Sequence, residues 1–451
     1  MRNKGSDFSM IPKLSLRVSA AVLMLPGAAF GEFSKGPAVQ NLTASAAVIF
    51  VHSDAGEATL EWGTSKDYDH TVTLTSSSGE QDGHRVWEKE IDKVRLGTVV
   101  GSRDGWIYEF AVTGLEPDKK YHYRVVSSGS DSGDLSFRTA PLPGGRFAFV
   151  VAGDNKARPD YIKGVHLGRS RVHARIIDLM VEDDKIRIFV DTGDIVDDSN
   201  PDANWSALYE LRKKIFTNVA WFPAMGNHDF DDPDNGFNFQ AYLNVPRTSL
   251  PRGHNLPRND RDTGHDTEMF YSYEFGGVHF IVYASNLDMK EGSPQHQFIV
   301  DDLAAHRCRG PIVVYGHQPW FSSAEEDGVK PALEAIYHPL FVKEGVDLVF
   351  FGHRHFYERM NPDKLDGIQY LVTGGAGARL QDIKNPPRDY SAVARRVHHY
   401  LRIEVECWNA TGSTYDQYGD KIDTFSVPNM YLNDPLDCRY DPSDDECPSG
   451  P

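Results

Sequence analysis

At 451 residues, with 40% hydrophobic and 25% charged side chains, the chain is long enough for two or three globular domains, and its composition excludes a wholly disordered protein. The formal net charge of -18 argues against a broad basic face for a nucleic-acid polymer. The four cysteines, Cys308, Cys407, Cys438 and Cys447, lack zinc-knuckle spacing and suggest no thiol nucleophile.

The N-terminus reads as a processing signal. Arg2, Lys4, Lys13 and Arg17 supply a positive start, Val18 to Phe30 is apolar, and Ala29-Phe30-Gly31 offers a small-x-small cleavage site. Residues 1–31 are therefore expected to be a signal peptide, which makes the mature protein secreted or periplasmic. The apolar run is short and broken by Pro26, so no stable membrane span is expected after cleavage. In an exported chain Cys438 and Cys447, which flank an acidic segment, are candidates for a disulfide, with the pairing left open.

Residues 36–140 are expected to be all-β. Short alternating runs such as Ala47 to Val51 and Ala58 to Trp62 are separated by turn residues, Ser53-Asp54-Ala55-Gly56 and Gly63-Thr64-Ser65. The stretch Leu115-Glu116-Pro117 followed by Tyr121-His122-Tyr123-Arg124-Val125 resembles the E–F corner of fibronectin type III domains, in which a tyrosine hydroxyl ties the corner backbone. Ala140 to Gly145 reads as a linker.

From residue 146 to 427, strands alternate with helical segments. Strands are expected at Phe147 to Ala152, Ile186 to Val190, Val219 to Met225, Ile312 to Tyr315, Val346 to Phe351, Ile368 to Val372 and Tyr400 to Glu406, with a hairpin from Phe270 to Tyr283 about Gly276-Gly277. Helices are expected at Arg169 to Asp184, Trp205 to Ile215, Gln295 to Arg307 and Leu333 to Lys343. This order predicts an α/β layered domain with sheets inside and helices outside. Residues 428–451 are acidic and read as a poorly ordered tail.

Five stretches share one design: an apolar strand, a glycine, then residues of metal-binding type. They are Ala152-Gly153-Asp154, Thr192-Gly193-Asp194, Met225-Gly226-Asn227-His228-Asp229, Tyr315-Gly316-His317 and Phe351-Gly352-His353-Arg354-His355. One Gly-Asp after a strand is usually a turn. Five such stretches in succession, each at the carboxyl end of a strand, converge on one site. Asp, Asn and His together suit zinc, manganese or iron.

In this order the five motifs form the signature of the calcineurin-like metallophosphoesterases. With the leading β-domain, the chain resembles the purple acid phosphatase branch over about residues 36–427. The resemblance implies two metal ions, one held by Asp154, Asp194 and His355, the other by Asp194, Asn227, His317 and His353, with Asp194 bridging. It implies a metal-bridging hydroxide attacking phosphorus in line, and His228 contacting the phosphoryl group or protonating the leaving group. Asp229 either orients His228 or caps the loop.

Two positions depart from the pattern. The tyrosine that gives purple enzymes their colour is replaced by Asp197, so iron(III) is not required by this sequence; Asp197 is a candidate metal or supporting ligand, or decorates an acidic loop. Lys156 stands where many relatives carry a histidine ligand. A protonated lysine cannot coordinate a metal, so it either neutralises substrate phosphate or pairs with an acid nearby.

Other histidines, including 166, 173, 279 and 306, read as structural; His279 lies in an apolar strand. The polar insert 230–269, with Arg247, Arg252, Arg258, Arg261, His254 and His265, reads as a surface loop or a substrate lid. Asn41 and Asn409 match the glycosylation sequon. The leading expectation is an exported dinuclear metal-dependent phosphohydrolase acting on phosphomonoesters. A phosphodiesterase or nucleotide hydrolase with the same core is the alternative enzyme, and a binding protein with a decayed site is the non-enzyme alternative.

Overall fold

The computed structural model describes residues 33–428 apart from 77–85, 92–93, 103–104, 160, 163–164, 167, 200, 231–236, 250–265, 308 and 326–329. The expected signal peptide, the tail with Cys438 and Cys447, and the middle of the 230–269 insert lie outside those residues. Among the described residues no helix is long and apolar enough to cross a membrane. Cys407 is disulfide-bonded.

The first unit is a sandwich of two antiparallel sheets. One has the order Lys35–Gln40, Ala46–Ser53, Gly105–Thr113, Val94–Ser102, Val86–Ile91. The other runs Leu135–Arg138, Lys120–Ser127, Glu57–Gly63, His70–Thr75. Period-2 alternation sets which side chains enter the core: Tyr121, Tyr123 and Val125 are buried along Lys120–Ser127, with polar neighbours between them. The Tyr121 hydroxyl accepts from the backbone N–H of Glu116 at 2.9 Å, the corner tie that the sequence suggests.

The second unit stacks two sheets face to face. A six-stranded sheet runs Ala220–Pro223, Ile186–Asp191, Phe147–Ala152, His399–Glu406, Asn409–Asp416, Lys421–Val427. A seven-stranded sheet begins with the hairpin Tyr271–Phe275 and Val278–Val282, continues through Ile312–Gly316, Leu348–Phe351 and Gln369–Thr373, and ends with Tyr357–Met360 and Ser391–Arg395. In the first sheet Ala220–Pro223, Ile186–Asp191 and Phe147–Ala152 pair in parallel, in the second Val278–Val282 through Gln369–Thr373 do, and these strands are largely buried on both faces. Phe149 faces inward, meeting Phe280 and Phe350 edge-on at 5.5 and 6.2 Å. The alternate residues Val150 and Ala152 pack instead beneath helices Gly168–Met180 and Asp202–Phe216. Helices Pro294–His306 and Pro331–Glu344 cover the outer face of the other sheet. Ser293 caps the first of these, accepting from His296 N, and Gly345 ends the second in a left-handed turn.

The helix and strand expectations hold in kind, with shifts of a few residues at the ends. The Leu348–Phe351 strand starts later than expected because Val346 and Asp347 form its entry, where the Asp347 carboxylate accepts from Ile312 N at 2.9 Å. The strands Asn409–Asp416 and Lys421–Val427 are not apparent in the sequence. Asn409 to Ser413 lacks apolar alternation, and the pairing with His399–Glu406 supplies the order.

Candidate metal centre

All five glycine-bearing turns meet at the carboxyl ends of the parallel strands. The backbone there is forced into unusual conformations. Asp154, Asp194 and His353 have φ of 61°, 53° and 65°, left-handed values that non-glycine residues rarely adopt outside functional sites. Two of the glycines are needed for close approach. A Cβ on Gly226 would overlap the backbone N of Asp194, and one on Gly352 would lie 2.7 Å from the Asp154 carboxylate and from the Thr192 carbonyl.

These turns bring together the residues of the series. His317 Nε2 lies 3.1 Å from Asp194 Oδ1 and 3.2 Å from Asn227 Oδ1. His353 Nδ1 lies 3.1 Å from the same amide oxygen and 3.2 Å from His317 Nε2. On the other side His355 Nε2 lies 3.2 Å from Asp154 Oδ1. The groups Asp194–His317–His353 and Asp154–Asp194–His355 each present donor atoms within 4.8 Å of one another, and they share Asp194. Asp154, Asp194 and His317 are fully buried.

The hydrogen bonds around the centre aim its lone pairs inward. His317 Nδ1 donates to Thr192 O at 2.8 Å and His355 Nδ1 donates to Arg379 O at 2.8 Å. A carbonyl only accepts, so both rings carry the proton on Nδ1 and turn Nε2 to the centre. Asp154 Oδ2 accepts from His353 N at 2.8 Å and Asp194 Oδ1 from His228 N at 3.0 Å. The remaining oxygens, Asp154 Oδ1 and Asp194 Oδ2, are buried without a hydrogen bond. Such oxygens beside oriented imidazoles and an amide oxygen are what a pair of borderline cations requires.

Without cations the charges settle among the ligands. Burial alone would lower His317, but the carboxylates of Asp194 and Asp154 outweigh it and hold the ring up at about 9. Burial, with the charge of His317 beside it, pushes His353 down to about 2.

The calcineurin-like phosphoesterase family profile matches residues 145–357, which contain every residue of this centre. The profile of the purple acid phosphatase N-terminal domain matches residues 38–139. The chain thus carries a calcineurin-like phosphoesterase domain behind a purple acid phosphatase N-terminal domain. Relatives of this chain include the Arabidopsis thaliana protein named probable inactive purple acid phosphatase 9. It is 25% identical over 77% of this chain and 57% of its own length. Purple acid phosphatase 23 from the same plant is 27% identical over 57% of this chain and 58% of its own. The chain thus spans a little under three fifths of the length of these two relatives. The fold is that of the purple acid phosphatase PPD1 from yellow lupin (Lupinus luteus) seeds, with a TM-score of 0.69 at 21% identity over 88% of this chain and 75% of that one.

Four expected residues stand beside the candidate metal groups. His228 is partly exposed; its Nδ1 donates to Asp197 O at 2.6 Å, and its Nε2 lies 4.0 Å from Asp194 Oδ2. Asp229 does not orient it. Both Asp229 oxygens accept from backbone, Oδ1 from Ile195 N and Val196 N, and Oδ2 from Gly226 N at 2.8 Å. Asp229 therefore caps the two loops together, and burial beside Asp194 pushes its carboxyl up to about 7. The Asp197 carboxylate is not placed as a ligand: it pairs with Arg158 at 3.3 Å and Arg169 at 2.5 Å. Its carbonyl supports His228 instead. Lys156 Nζ lies 3.1 Å from Asp194 Oδ2, so of its two expected roles it takes the pairing with an acid.

The sequence reading missed Arg212. It is fully buried on helix Asp202–Phe216, with Nη1 2.6 Å from Asp191 Oδ2, Nη2 donating to Asn155 Oδ1 at 2.7 Å, and Nε donating to His173 Nε2 at 3.0 Å. Asp191 Oδ1 in turn accepts from Gly193 N at 3.1 Å. One guanidinium thereby braces the loops of both Asp154 and Asp194. The signal was present: Arg212 falls in the apolar stripe of Trp205, Leu208 and Ile215, where an arginine needs buried partners.

Proposed function

We propose that this chain is an exported phosphomonoester hydrolase working with two metal ions, one held by Asp154, Asp194 and His355 and the other by Asp194, Asn227, His317 and His353. The observation that carries the reading is the pair of buried oxygens on Asp154 and Asp194 that accept no hydrogen bond, the second beside the Lys156 ammonium, flanked by imidazoles whose far nitrogens are tied to backbone carbonyls. Iron, zinc and manganese all suit that donor set. Two such cations supply Lewis-acid polarisation and charge neutralisation for in-line displacement at phosphorus.

The chain's own groups do the rest. Asp197 O fixes the His228 ring by its Nδ1 proton, which leaves Nε2 facing the centre. In the protonated ring, Nε2–H donates to the departing ester oxygen, a contribution of about 10²–10⁴-fold. Lys156 pairs with Asp194 and offsets part of the carboxylate charge at the centre. The ligand loops are kept in their strained shape by Asp229 and Arg212. The tyrosine tie at Glu116 supports a fibronectin type III-like reading of the sandwich at 36–140, packed as a partner of a catalytic domain at 146–427. The signal-like residues 1–31 support export.

The deciding experiment is metal analysis of the purified protein together with hydrolysis of a chromogenic phosphomonoester. About two metals per chain with turnover, both lost in His353→Ala, is the expected result. Two metals with turnover of diesters alone would replace the monoester reading. No metal and no turnover after reconstitution with zinc, manganese or iron would overturn the enzyme reading.

A further inference from the structure

A second group of metal-binding side chains lies at the opposite end of the strands. Glu274, His279 and His306 present donor atoms within 4.8 Å of one another. Glu274 and His279 oppose each other across the hairpin, and His306 closes helix Pro294–His306. His279 pairs with Ile312 at the start of the strand that ends before His317. Five residues of strand put this group roughly 16 Å from the candidate centre.

Asp302 holds both rings. Its Oδ2 takes His279 Nε2 at 2.7 Å, and its backbone carbonyl accepts from His306 Nδ1 at 2.8 Å. Ser272 steadies the carboxylate by donating to Oδ1 at 2.9 Å. Each ring therefore has one nitrogen engaged and the other carrying a lone pair. On His306 that atom is Nε2, 3.7 Å from Glu274 Oε1. On His279 it is Nδ1, which has no hydrogen-bond partner although the residue is only 5% exposed. A buried ring nitrogen without a partner is unusual. A carboxylate behind the imidazoles is the support that metal-bound histidines use.

We propose that Glu274, His279 and His306 form a separate site for zinc or a similar borderline divalent cation, with Asp302 positioning both imidazoles. Two nitrogens and one carboxylate oxygen are a common three-residue set for zinc, with water completing the shell. The rings lie stacked, 3.6 Å between centroids and 10° from parallel, so they cannot both aim lone pairs at one ion as they stand. A shared ion therefore requires one ring to turn from the stack, and His306, 21% exposed, is the more open of the two. A bound ion ties the end of the helix to the hairpin and acts as a brace, remote from the phosphoester chemistry.

The test compares the full chain, with its catalytic metals in place, with Glu274→Ala and His306→Ala after equilibration in buffered zinc. Wild type is expected to hold one more equivalent of zinc than either variant and to show a zinc-dependent rise in melting temperature that both variants lack. Glu274 is exposed, so its truncation leaves the fold intact and the comparison valid. Equal zinc content and equal melting shifts in all three proteins would overturn the proposal. Hydrolase activity is not the readout, so the outcome is independent of the proposed reaction.

Discussion

The two halves of the candidate centre are built differently. On one side Asn227, His317 and His353 crowd around Asp194 with contacts of 3.1 to 3.2 Å, and His317 is sealed from solvent. On the other side Asp154 and His355 face the same carboxylate, and the ammonium of Lys156 already sits 3.1 Å from its free oxygen. The first half gathers one amide and two imidazoles near one carboxylate. The second has fewer protein ligands and a built-in positive charge that competes for Asp194 Oδ2. On the proposed two-metal reading, the contrast puts the looser ion on the Asp154–His355 side.

The harshest way to break that contrast is to remove a ligand from the crowded half. His353→Ala should cost about 10³-fold or more in turnover, since several kcal/mol of transition-state charge stabilisation depend on the cation it holds; metal counting on the same sample should show the loss. Arg212→Met tests whether both halves share one brace. Leaving Asp191 buried and unpaired should destabilise the fold by about 3–5 kcal/mol in urea unfolding, and metal should be lost from both sides. His228→Ala should spare both halves. Metal content stays unchanged while turnover falls about 10²–10⁴-fold, less for a substrate whose leaving group needs no proton.

An acid titration of stability isolates the scaffold from either half. Burial, with Lys35 alongside, lowers His52 to about 4, and burial lowers His399 to about 4. Their unfolded value is 6.5, so the stability they contribute is present above that pH and is lost as pH falls from 6.5 toward 4, up to about 3 kcal/mol for each. Asp229, held up at about 7, titrates in the opposite sense, so the readout is the difference from His52→Gln: its urea midpoint should lose less than that of the unaltered protein as pH falls through the window. The gentlest change sharpens the comparison directly. Lys156→Met should tighten the looser ion by about tenfold to a hundredfold in chelator competition, and leave the tighter ion unchanged. A uniform change at both ions would dissolve the distinction.

The centre was legible in the sequence because its ligands follow glycines at strand ends, a pattern carried by residue type and order. The supports were less visible. The carbonyls of Thr192, Asp197 and Arg379 that orient the three imidazoles are backbone atoms and leave no mark in residue identity. Asp229 was legible as a polar residue beside His228, but its three backbone partners come from two loops whose approach only the fold sets. Arg212 could have been read from its place in a helical stripe. The strands Asn409–Asp416 and Lys421–Val427 could not, because pairing rather than periodicity orders them.

Helix Asp202–Phe216 carries Arg212 on one side and meets the β-sandwich on the other. Asp202 pairs with the buried Lys35 at 2.9 Å, Tyr209 stacks on Phe50 at 5.3 Å, and Tyr209 also accepts from Gln40 at 3.2 Å. The leading unit is thus mechanically in series with the loops that carry the candidate metal ligands. A phosphoesterase domain severed from its sandwich would leave that helix with a bare aromatic flank and an unpaired acid. The guanidinium would then be anchored to a loosened rod, so the two units that look separable along the chain behave as one machine part.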